Sequence, residues 1–88
     1  MDQHEFDFTR HDQELGMSVL ANTLGALVAA EEQLVDAELR ILIAQDQRLT
    51  AQTDNELILA SNDLFGARLD LFAADLLRVV AKKRLADL

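Results

Sequence analysis

A chain of 88 residues is enough for one domain and no more. It has no Cys, which excludes disulfides, thiolate nucleophiles and Cys-ligated zinc. Its formal charge of −8 sets it against direct binding to a phosphate backbone. Pro, Trp and Tyr are also absent and only three Gly occur, so a sequence rich in Leu, Ala, Glu, Asp and Gln is helical by propensity almost throughout. A domain this small with no covalent staple draws stability from self-association or from a partner.

The chain opens with "MDQHEFDFTRHD", a polar, acidic stretch read as a flexible tail over residues 1–12. The basic region of a secretory signal is missing from it, and a cytoplasmic location is the expectation. The longest uncharged run, Leu15 to Ala30, contains Ser18, Asn22 and Thr23 and is too short and too polar to predict a membrane span. Residues 13–88 then read as a helical hairpin: a helix over about 13–50, a turn over about 51–53 and a helix over about 54–87. Thr53-Asp54-Asn55-Glu56 has the S/T-x-x-E form of a capping box, which starts the second helix. Lys82, Lys83 and Arg84 fall in its last turns, where cations suit the negative end of the helix dipole.

The two helical stretches carry the same pattern. In the first, Leu27, Ala30, Leu34, Ala37, Ile41, Ala44, Arg48 and Ala51 recur at alternating spacings of three and four. In the second, Leu57, Ala60, Leu64, Ala67, Leu71, Ala74, Arg78 and Ala81 do the same, followed by Leu85. That rhythm is a heptad seam of alternating large and small residues. A bend near Gln52 and Thr53 sets Leu34 against Leu71, Ile41 against Leu64, Leu27 against Arg78, and Ala37 against Ala67. Glu38 then meets Arg68 as a boundary ion pair. In one unbroken helix the two patterns would be rotated by roughly 120° and would not share a face. The predicted fold class is therefore all-α: an antiparallel two-helix hairpin, coiled-coil-like, completed to a helical bundle by self-association or by a partner.

A second apolar stripe lies outside that seam. It comprises Val28, Val35, Leu39 and Leu42 on the first helix, with Leu24 and Leu49 at its ends. On the second helix it comprises Phe65, Leu69, Phe72, Leu76 and Val79, extended by Ile58. One hairpin cannot cover both stripes, and an apolar patch of that extent marks an interaction surface. The aromatic residues with flanking aliphatics are the expected anchors.

The residues able to carry chemistry are few. His4, Asp7, His11 and Asp12 cluster in the tail, but the solvated reading of a short terminal segment outweighs a metal site. Glu31 and Glu38 lack the Glu-x-x-His pairing that di-metal bundles use. No nucleophile–base pair or Gly-rich phosphate loop is present. The expectation is a non-enzymatic interaction module without cofactor or metal, a small acidic adaptor, chaperone, assembly subunit or regulator. Its partner is another protein or itself, a homodimer included, with no direct nucleic-acid contact and no membrane span. The alternatives are an acidic inhibitor occupying a nucleic-acid-binding groove of another protein, or an amphipathic protein at a membrane surface.

Overall fold

The computed structural model describes residues 2–88, with side chains described from residue 18 onward. Two helices make up the fold: α1, Asp2–Thr50, and α2, Asp54–Asp87, joined by a three-residue turn at Ala51–Thr53. They pack against each other as a helical hairpin. Helix α1 begins well before the residue-13 boundary read from the apolar periodicity. Neither Pro nor Gly occurs in residues 1–15 to stop a helix there. The expectation of a flexible tail, and of the His4, Asp7, His11 and Asp12 cluster in it, falls on residues whose side chains lie outside the described ones.

The turn is fixed by hydrogen bonds that the capping sequence supplies. Thr53 is the N-cap of α2 in extended conformation (φ −127°, ψ 158°), and its hydroxyl accepts from the Glu56 amide. The Leu57 amide donates to the Thr53 carbonyl at 3.0 Å, closing the first turn. The Glu56 carboxylate takes its bond from the Gln52 amide at 2.9 Å, one residue earlier than the reciprocal bond of a capping box predicts. Helix α2 then runs unbroken through Ser61-Asn62-Asp63 and Gly66.

The core is a line of small side chains. Buried apolar residues on α1 are Ala30, Leu34, Ala37 and Ala44; on α2 they are Ala60, Leu64, Ala67, Ala74 and Ala81. Leu27, Ile41, Leu71 and Leu85 are half-buried between them. Thr23 extends the small series toward the N-terminus. It is buried, and its hydroxyl donates to the Val19 carbonyl one turn back at 2.7 Å, so no polar atom is stranded. The contact line thins at its ends, where Leu20, Arg48 and Leu57 are exposed.

Alanine at the contact lets two helix backbones approach closely, and any larger side chain there must push them apart. Ala37 and Ala67, midway along the line on the two helices, are both enclosed. Ala37→Leu is expected to destabilise the chain by about 1–3 kcal/mol through overpacking, read as a lowered urea midpoint with helical circular dichroism retained at zero denaturant.

Candidate protein-interaction surface

Most of the large apolar side chains of the hairpin lie outside its core. Among the described residues, twenty large hydrophobic side chains are exposed, whereas Leu34 and Leu64 are the only buried residues larger than alanine or threonine. Each residue of the predicted flank stands exposed: Val28, Val35, Leu39 and Leu42 on α1, and Phe65, Leu69, Phe72, Leu76 and Val79 on α2. Phe65 is 66% and Phe72 64% exposed, an unusual state for a phenylalanine in a water-facing helix. These residues share the side of each helix turned away from the alanine line, because positions two or five residues from a buried alanine are rotated from it by roughly 150° at about 100° per residue.

The two stripes differ in continuity. On α2, Ile58, Phe65, Leu69, Phe72, Leu76 and Val79 follow each other with no charged residue among them, Asn62 filling the one gap. On α1 the equivalent line is interrupted by Glu32 and Asp46, which occupy two slots of the same rhythm.

A further set of exposed apolar residues was not singled out from the sequence: Ile43, Leu59, Leu77 and Val80. They lie along the other edge of the contact line, among Arg40, Asp63 and Asp70, with which Ile43 lines one shallow groove. Charges break this edge into islands, which is why it left no continuous signal in the hydropathy pattern. Leu77 and Val80 line a second groove with Ala26, Ala29 and Arg84.

The electrostatics of the hairpin follow from the same edge. Arg40 donates to Asp70 across the two helices and sits 3.3 Å from Asp36 one turn back on its own helix. Hydrogen bonding to Asp70, opposed in part by desolvation, raises the Arg40 guanidinium above its ordinary pKa. A raised basic pKa contributes stability that is complete below the unfolded value and lost only above the folded one. For arginine both lie far above neutrality, so this contribution is constant across physiological pH. Arg78, half-buried, pairs with Asp75 on its own helix at 2.6 Å. Glu38 and Arg68 form no ion pair with each other. The cross-helix pair that does form runs along the opposite edge, where Asp36 steadies the guanidinium that reaches Asp70.

Among the described residues no group of three His, Cys, Asp or Glu is placed to hold a metal ion. No helix of the described residues is long and apolar enough to cross a membrane. Compared with known proteins, the chain matches no protein family, no curated protein and no solved structure.

Gly66 is half-buried, yet a Cβ built on it meets no atom within 4 Å. The hairpin itself therefore gives no steric reason for glycine in mid-helix, where it costs about 1 kcal/mol relative to alanine. Gly66→Ala is expected to stabilise the isolated chain by up to about 1 kcal/mol, measured as a higher urea midpoint. An unchanged or lower midpoint would mean that something other than the hairpin approaches this backbone.

Proposed function

We propose that this chain is a non-enzymatic protein–protein interaction module, a small acidic helical adaptor, chaperone, assembly subunit or regulator. Its alanine line acts as a Leu/Ala heptad seam of the coiled-coil kind, which holds the hairpin in shape. Its outer apolar flank docks against another helical surface, its own or a partner's, and completes a bundle. One observation carries this reading: twenty large apolar side chains are exposed among the described residues, while the buried ones are alanines except for Leu34 and Leu64. A hairpin of that design presents a surface whose removal from water would contribute more than its own core does.

Val28, Val35, Leu39 and Leu42 of α1 and Phe65, Leu69, Phe72, Leu76 and Val79 of α2 are the contact residues of this proposal. Phe65 and Phe72 are its anchors, since buried aromatics dominate interface energies. Neither residue supports the fold of the hairpin, both being exposed there. Association should be insensitive to moderate salt, as apolar contacts are, and it should weaken sharply when the flank is charged.

Phe72→Asp is expected to abolish association while leaving helical content largely intact. Light scattering of the wild-type chain should give a mass above that of a single chain, and the variant should return it to one. A wild type that is monomeric at all concentrations, and a variant indistinguishable from it, would sink the self-associating form of the reading.

A further inference from the structure

We propose that the α2 half of the flank is covered by a second copy of this chain, packed antiparallel through α2 alone, with Leu69 facing Leu69 of the second copy on the twofold axis and the α1 half left outside this contact. This rests on the reading of the flank as an interaction surface and commits it to one occupant and one register.

Area supplies the first argument. The chain exposes 7124 Å², where a compact monomer of its mass exposes about 5,200 Å². The excess, about 1,900 Å² per chain, is summed over the whole rod, and the exposed outer stripe of α2 supplies part of it. The radius of gyration, 21.5 Å, compares with about 12 Å for a compact domain of this length. A rod of two helices cannot remove the excess by folding further on itself.

The register comes from a rule that the hairpin displays. Ala37 and Ala67, which the sequence register sets against each other, are both enclosed, and the residues three further along each helix, Arg40 and Asp70, form the cross-helix ion pair. The outer stripes follow the same three-and-four rhythm, so the same rule applies when two outer stripes meet antiparallel. Three pairings of two copies are available, α1 on α1, α1 on α2, and α2 on α2.

Pairing α1 on α1 sets Val35 against Leu42 and Leu39 against itself, and it forces Glu32 onto Asp46 within the apolar line. Pairing α1 on α2 sets Val35 against Phe72 and Leu42 against Phe65. It then drives Glu32 onto Leu76, and the flanking positions bring Glu38 against Asp75. Like charges opposed at an interface are destabilising, and a carboxylate buried on leucine is worse. Pairing α2 on α2 sets Phe65 against Phe72, Ile58 against Val79 and Leu69 against itself, with no charge in the line. Three residues on from Phe65 and Phe72 stand Arg68 and Asp75, which are opposite in sign and meet twice by symmetry. Arg68 takes part in no ion pair among the described residues, and Asp75 holds Arg78 through Oδ1 alone, leaving Oδ2 to accept. Only this pairing is both uncharged in its line and complementary at its rim.

The test uses the whole chain, which has no native cysteine. Leu69→Cys under mild oxidation should give a disulfide-linked dimer, and Leu39→Cys, its counterpart on α1, should not. In a second measurement Arg68→Asp, which places acid against Asp75 twice, should weaken the dimer by roughly tenfold or more. Adding Asp75→Arg to that variant should restore most of the loss, an outcome that a merely structural role for either residue does not predict. A stable dimer that crosslinks through position 39, or through neither position, with no rescue by the charge reversal, overturns the α2 pairing and leaves the interaction surface standing. A chain monomeric at all concentrations overturns the second copy as occupant. Should Phe72→Asp also change nothing, the self-associating reading of the surface falls with it.

Discussion

Everything in this structure follows from how closely the two helices approach along a line of alanines. Ala30, Ala37, Ala44, Ala60, Ala67, Ala74 and Ala81 are all nearly inaccessible, and side chains this small lose no rotamer freedom on burial. They also remove little apolar area from water. A hairpin built this way is well defined in geometry and weakly supported by the hydrophobic effect. With alanine filling most of the contact, many of the larger leucines and both Phe65 and Phe72 lie outside it. The shape of the fold and its exposed apolar flank are therefore one fact seen from two sides.

Charge orders what packing alone leaves degenerate. A helix contact in which Leu and Ala repeat along the line, as they do in this sequence, tolerates a slip of one repeat with little loss. The Arg40–Asp70 bridge breaks that equivalence, and the Asp36 carboxylate 3.3 Å from Arg40 holds the guanidinium in place before it crosses. Both partners are largely exposed, so the bridge adds little to stability. What it contributes is alignment. The capping bonds at Thr53 and Glu56 act to the same end, because a turn only three residues long fixes which layers meet first.

The hairpin was legible in the sequence because two independent signals agreed on one bend. Repeats rotated by roughly 120° cannot share a face in one straight helix, and the Thr53–Glu56 capping pattern stood where the fold point had to be. Burial of Leu34, Ala37, Leu64 and Ala67 follows from that bend. The Glu38–Arg68 pair did not form, for a reason the sequence does not contain. Counting residues from the turn gives height along the rod, so it could say that Glu38 and Arg68 lie level. It could not say which edge of the seam draws the long side chains together, and Arg40 with Asp70 does so on the other edge. Thr23 was missed because its hydroxyl marks it as polar, although bonding back to Val19 lets it serve as a small core residue. The flank was legible as a stripe left over once the seam was assigned, whereas Ile43, Leu59, Leu77 and Val80 were not, being scattered among charges.

The difference between the two outer stripes bears on why an assembly of this chain would stop growing. A helix with apolar stripes on nearly opposite sides invites a neighbour on each, and a chain of two such helices would extend indefinitely as a row if both outer stripes were equally welcoming. Open-ended growth of that kind leads to fibres, whereas a twofold contact closes. Helix α2 offers an outer stripe free of charge, whereas α1 carries Glu32 and Asp46 in the matching slots. Two α1 stripes brought together would oppose these carboxylates in an apolar line and leave both unpaired, a cost that leucine contacts on either side do not offset. The acids that interrupt α1 are thus not defects in an otherwise regular pattern. In the proposed dimer they make the outer edges of the row repel one another, so the sequence that welcomes one copy at α2 refuses a third at α1.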